Sequence, residues 1–230
     1  MQPAAVRKTE LESLVAGRFD LPLGVREDIE SERLLIDVPE LDRLTGGLVR
    51  GGVTEIFGAA SSGRTTFALR ALAEATARGE ICAWVDTSDN LDPASAEVAG
   101  VDLDHLLWVR CAGDAERALQ STDLLVQAGG FGIVVLDIAH LADRALQRIP
   151  LVAWFRLRRA IESTPAILLV LSREPQVRQC ASALVEMRAR GAVWSGAAGV
   201  SDLLRETLLA ASSRKPARSV EVRWRAQAIG

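Results

Sequence analysis

Apolar and polar positions fall into two kinds of block along this chain. Residues 53–57, 81–86, 106–109, 132–137 and 166–171 are short, almost continuous apolar runs, the pattern of strands buried on both faces. Between them, 65–78, 93–99, 114–128 and 150–163 carry apolar side chains at helical spacing. Strands that alternate with helices of this length predict an α/β fold with a mostly parallel, twisted sheet covered on both faces. After residue 180 the helical spacing stops. Residues 183–190, 203–211 and 220–224 read as three more strands separated by short turns, expected as antiparallel additions at the sheet edge. Ahead of the α/β pattern, 5–19 places Val6, Leu11, Leu14 and Val15 on one side of a short amphipathic helix, and 20–33, with Pro22 and Gly24, reads as a linker. The expected organisation is an N-terminal helix and linker over 1–33, acting as an assembly element, and a core domain over 34–230.

Composition narrows the class. With 230 residues and 49% hydrophobic content, the chain can bury a sizeable core and is not a disordered polymer. It has no apolar run of the ~18 residues that a membrane span requires. Its first residues, Met1 to Lys8, lack the apolar stretch of a signal peptide, so a cytoplasmic protein is expected. Cys82, Cys111 and Cys180 have no paired spacing and read as reduced core thiols. Charge is unevenly distributed. Residues 1–143 carry 12 basic and 24 acidic side chains, whereas 144–230 carry 15 basic and 6 acidic. The basic third is expected to face an acidic surface, either single-stranded DNA or a protein partner. The residues assigned to that surface are Arg188, Arg190, Arg214, Lys215, Arg218, Arg223 and Arg225.

Candidate chemistry begins at Gly58. The run Gly58-Ala59-Ala60-Ser61-Ser62-Gly63-Arg64-Thr65-Thr66 follows an apolar strand and opens a helix. It has the form of a phosphate-binding loop whose lysine is replaced by arginine. A glycine-rich turn without a ligand is the alternative. Arginine is longer, planar and forked, so the exchange changes the chemistry at the position that holds the β- and γ-phosphates. Residues 133–137 form an apolar strand that ends in Asp137, the second signature of a phosphate-loop protein, in which an Asp holds Mg²⁺ directly or through water; the alternative is an Asp that caps the next turn. Thr65 and Asp137 would face Mg²⁺ only if a metal–nucleotide complex binds. His105 and His140 read as structural. Trp84 and Trp108 read as core, and Trp154 and Phe155, beside Arg156, Arg158 and Arg159, read as core packing with a basic outer face or as a base-stacking platform.

The stretch from Gly51 to Thr66, the segment Val85-Asp86-Thr87-Ser88-Asp89-Asn90-Leu91-Asp92-Pro93 and the segment Gly100-Val101-Asp102-Leu103-Asp104-His105-Leu106-Leu107 resemble the RecA/RadA recombinase superfamily. The similarity runs from about Asp37 to Leu141. It implies a RecA-like core in which Gly58, Ser61, Ser62, Gly63, Arg64, Thr65, Thr66 and Asp137 form the nucleotide site. Departures from the family pattern cluster at that site. Arg64 stands for the loop lysine and Ser88 for the glutamate that activates water. Ser95 replaces the aromatic residue on adenine, and Arg173 the glutamine that senses the γ-phosphate. Both DNA-binding loops are short. A serine cannot act as a general base at neutral pH, so no catalytic residue is assigned. ATP and Mg²⁺ are expected to bind weakly or not at all, with Arg64 filling the phosphate site or pairing with Asp137. The pattern of losses is most similar to the ImuA group of RecA-like proteins in a bacterial damage-induced mutagenesis cassette. That resemblance implies an accessory role in DNA repair and translesion synthesis. Its partners would be a RecA-type recombinase, translesion polymerase components, single-stranded DNA or further copies of the chain, with no membrane involved. An active DNA-dependent ATPase and a nucleotide-sensing regulator are the competing functions.

Overall fold

The computed structural model describes residues 32–195, 203–214 and 217–225, with side chains described at 32–191, 209–211 and 218–223. The expected helix at 5–19 and its linker lie outside the described residues, apart from the last two linker positions. In chain order the elements are β1 (Arg33–Leu34), α1 (Pro39–Thr45), β2 (Leu48–Val49), β3 (Val53–Phe57), α2 (Arg64–Thr76), β4 (Ile81–Asp86), α3 (Pro93–Val98) and β5 (Leu106–Arg110). They continue with α4 (Ala115–Ala128), β6 (Phe131–Asp137), α5 (Asp143–Leu146), α6 (Leu151–Ile161), β7 (Ile167–Ser172), β8 (Ala183–Ser195), β9 (Leu203–Arg214) and β10 (Ala217–Arg225). Each strand and longer helix expected from spacing is present, with ends shifted by a few residues. The antiparallel pair β1–β2 and the short helices α1 and α5 were not foreseen, because none is long enough to show a period.

Eight strands form one sheet in the order β10-β9-β8-β3-β7-β6-β4-β5. From β3 to β5 all neighbours are parallel. The three C-terminal strands were expected as antiparallel additions at the sheet edge, and they stand at that edge and pair antiparallel with one another, but the way they join the sheet was not foreseen. β8 joins the sheet parallel to β3, with Thr54 opposite Ala183, while the β8–β9 and β9–β10 pairings are antiparallel. The segment between Ser172 and Ala183 carries the chain from the C-terminal end of β7 back to the N-terminal end of β3, which allows a parallel strand. Ser182 N–H donates to Val53 O at 2.7 Å as β8 begins.

Two apolar layers enclose the sheet. On one side α1 and α2 pack Leu41, Leu44, Phe67 and Leu72 against Ile56, Trp84 and Leu169, and this layer extends over β8–β10 through Met187, Leu209 and Val222. On the other side α4 and α6 pack Leu119, Leu125, Trp154 and Leu157 against Val134, Leu136 and Val170. All three cysteines are buried and unpaired, and burial pushes the Cys82 thiol up to about 12, which keeps it protonated and unreactive. No helix among the described residues is long and apolar enough to cross a membrane.

Candidate functional site at the phosphate loop

Parallel register aligns the C-terminal ends of the central strands, with Phe57 opposite Ser172 and Asp86 opposite Asp137. In an open α/β sheet this edge is where ligands bind. The loop from Gly58 to Gly63 lies across it and enters α2. Two glycines make the shape possible. Gly58 has φ +155°, and a Cβ there would stand 2.1 Å from Met187 O. Gly63 has φ +92°, and a Cβ there would meet Leu209 Cδ1 at 2.5 Å. A larger residue at 58 would push the loop off the β8 main chain, and one at 63 would be strained by its positive φ and would displace the Leu209 side chain. A cavity of about 410 Å³ is lined by Ala60 to Thr66, His140 and Leu209. A second, of about 440 Å³, lies between the loop, Arg173-Glu174 and residues 186–189 of β8.

Arg64 does not project into open space. Its residue is 6% exposed, and one guanidinium nitrogen, Nη1, donates to Gly58 O at 2.5 Å and Ser172 O at 2.6 Å. The cation therefore lies beneath the loop, tying its first carbonyl to the end of β7. Burial lowers its pKa, while the nearby Asp137 charge opposes that shift. The expected ion pair with Asp137 does not form within 4 Å among the described residues, because the two main-chain carbonyls capture the guanidinium instead. Asp137 is itself buried and accepts Ala139 N–H at 3.0 Å, and its pKa is raised, chiefly by burial.

The other family positions are occupied by structural contacts. Asp86 uses both carboxylate oxygens. One accepts from Ser88 N–H and Asp89 N–H, and the other from Leu91 N–H and Trp108 Nε1–H. This fixes the 88–91 turn, and Ser88 stands within it. Ser95 Oγ–H donates to the capping residue of α3, Asp92, at 2.5 Å. Arg173 swings towards α5, pairing with Asp143 and reaching Leu141 O. Trp84 is in the core as expected. Trp108 is only partly buried, because it sits on edge strand β5, with the Arg110 guanidinium carbon 5.0 Å from its ring.

One residue of this network was missed. Glu55, in the middle of β3, is fully buried. It accepts from Ser172 Oγ–H at 2.7 Å and from the main-chain N–H groups of Gln176 and Val177. Burial raises its pKa in spite of those bonds. Arg64, Ser172, Glu55 and residues 176–177 thus form a continuous polar chain from the phosphate loop to the segment after β7. The available signal was an acidic residue inside a strand otherwise read as buried on both faces, which obliges a partner. Ser62 is the exception to this satisfaction. It is 2% exposed, and its Oγ has no hydrogen-bond partner among the described residues.

The RecA N-terminal domain profile matches residues 26–147, just over half of the sequence. The chain belongs to that family. It is 46% identical over 101 residues to the RecA proteins of Brucella anthropi and Brucella canis. That stretch is 44% of this chain and 28% of each relative, so the comparison reaches less than a third of the relatives' length. The crystal structure of the RadB recombinase aligns with a TM-score of 0.62 over 84% of this chain and 96% of that one. Sequence identity there is 17%, and the likeness is one of fold.

The basic residues of the last third occupy different places. Arg188, Arg190, Arg218 and Arg223 are exposed. Arg188 pairs with Glu186 at 2.6 Å. Arg218 and Arg223 are five residues apart on β10, whose register is unbroken, so they stand on opposite faces. The side chains of Arg214 and Arg225, and Lys215 altogether, lie outside the described residues.

Proposed function

We propose that this chain is a RecA-like accessory protein of DNA repair, of the kind found in damage-induced mutagenesis, that acts through partners and not through ATP turnover. The observation that supports this most is the seat of Arg64. A loop lysine is a mobile point charge that reaches a phosphate. Arg64 instead spends its charge on two main-chain carbonyls below the loop. Ser88 and Arg173, held in their own contacts, are unsuited to orienting water or sensing a γ-phosphate. A recombinase partner, translesion polymerase components and single-stranded DNA fit this role, as does self-association through residues 5–19.

Titration with a fluorescent ATP analogue, with and without Mg²⁺, tests the reading alongside phosphate release in the presence of single-stranded DNA. Weak or absent binding and no DNA-stimulated release are expected. Micromolar affinity with turnover would overturn it. Arg64→Lys should raise binding more than turnover, because Ser88 still lacks base character.

A second reading, a nucleotide-sensing regulator, draws on Ser62. A buried hydroxyl without a partner among the described residues, beside a 410 Å³ cavity, suits a phosphate oxygen. The N–H groups of residues 63–66, with the Thr65 hydroxyl, would hold such a group at the start of α2. A bound nucleotide would supply negative charge there. Retained binding without hydrolysis in the same titration would favour this reading.

A further inference from the structure

The described residues include five exposed large hydrophobic side chains, and three of them stand at the start of α6: Leu151, Val152 and Phe155, at 48%, 70% and 48% exposure. Val152 and Phe155 continue at helical spacing into Arg156 and Arg159, giving an outward stripe two turns long. Beside it lies a groove of about 710 Å³ between the start of α6 and the N-terminal end of α4. Its apolar lining includes Ala115, Leu119, Ala145, Ile149 and Ala153.

Charge around this face is unequal. Arg144, Arg148 and Arg159 are exposed and form no ion pair among the described residues. Arg156 reaches only Asp123, at 3.5 Å. The carboxylates across the groove are already engaged within α4. Asp114 accepts the N–H groups of Glu116 and Arg117 and pairs with the Arg117 side chain at 3.1 Å, and Glu116 accepts from Gln120. The rim on the α6 side is therefore an uncompensated basic border around an apolar centre.

We propose that this face binds an acidic amphipathic helix of a protein partner. The partner's apolar side would cover Leu151, Val152 and Phe155 and enter the groove, while its carboxylates would meet Arg148, Arg156 and Arg159 in charge-assisted hydrogen bonds. A straight stripe beside a groove matches a helix lying along α6. Single-stranded nucleic acid fits less well, because it needs a series of aromatic platforms, and Leu151 and Val152 are aliphatic.

The probe is a fluorescein-labelled peptide of about four helical turns, with leucines at one face and glutamates beside them. It is compared with the same peptide carrying lysines for glutamates, and with labelled oligo-dT. The full chain should bind the glutamate peptide, and added salt should weaken binding. Phe155→Glu, and separately Arg148→Glu with Arg159→Glu, should each weaken it about tenfold or more. Both variants change exposed positions and should melt at the wild-type temperature. If either is misfolded, the other still decides. The proposal fails if the glutamate peptide does not bind, if the lysine peptide binds equally well, if neither variant changes the affinity, or if oligo-dT binds at this face in its place.

Discussion

The phosphate loop and the outer face of α6 make opposite use of their charges. At the loop, Arg64, Asp86, Glu55 and Arg173 are each tied to main-chain or side-chain partners of the same chain. At α6, three arginines border an apolar stripe without ion-pair partners among the described residues. Internally satisfied groups make rigid structure and leave little to offer a ligand. Unsatisfied surface groups contribute little to stability and remain available to a partner. The polar side chains around the phosphate loop are held mostly by this chain itself, whereas those bordering α6 are not.

Two adjacent aromatic residues test the contrast most strongly. Trp154 is 3% exposed in the α4–α6 layer, so Trp154→Ala should cost about 4 kcal/mol. Phe155→Ala should change stability by less than about 0.5 kcal/mol while weakening the glutamate peptide. Urea denaturation with peptide titration separates the two effects. A large stability loss for Phe155→Ala would place the ring in the core and remove the contrast.

Glu55 sharpens the loop side. Glu55→Ala leaves the buried donors of Ser172, Gln176 and Val177 without an acceptor, and about 3 kcal/mol of stability should be lost. The pH dependence has a definite sign. Because the folded pKa of Glu55 lies above its ordinary value of 4.5, the folded state binds more protons there than the unfolded state. Its contribution to stability therefore falls as pH rises from about 4.5 through the raised folded value, and is level above that. Glu55→Gln has no such titration. Its deficit against wild type should be greatest on the acid side and narrow as pH rises, as measured by denaturant midpoints across that range.

Arg64→Ala should have a smaller effect, about 1–2 kcal/mol, from two carbonyls losing a donor. Proteolysis of the segment after β7 should accelerate in the same variant, because Ser172 links the loop to it. An unchanged cleavage rate would disconnect the two. The least effect belongs to the exposed pair Arg173–Asp143. Asp143→Asn should cost no more than about 0.5 kcal/mol, checked by thermal melting at low and moderate salt.

Much of this was legible without coordinates. Continuous apolar runs at 53–57, 81–86 and 132–137, bounded by helical spacing, indicated a parallel sheet because such a strand has no polar face to expose. The glycines at 58 and 63 marked the loop because both take a positive φ that other residues rarely adopt, and Gly58 also approaches the β8 main chain. Arg64 in place of lysine announced altered chemistry but not where the guanidinium would go. Its expected pairing with Asp137 lost to two main-chain carbonyls, an outcome set by three-dimensional reach. The parallel course of β8 was equally hidden, since strand direction depends on how a ten-residue connection crosses the sheet.

The sequence by itself determined the alternation of elements and the position of the phosphate loop, because these depend on local periodicity and residue identity. Tertiary structure decided which charges meet. It joined Glu55 to a segment more than a hundred residues away, turned Trp154 inward and Phe155 outward, and separated Arg218 from Arg223 across one strand. Those outcomes depend on register and on which donors lie within about 3 Å of an acceptor, distances that only the folded chain creates.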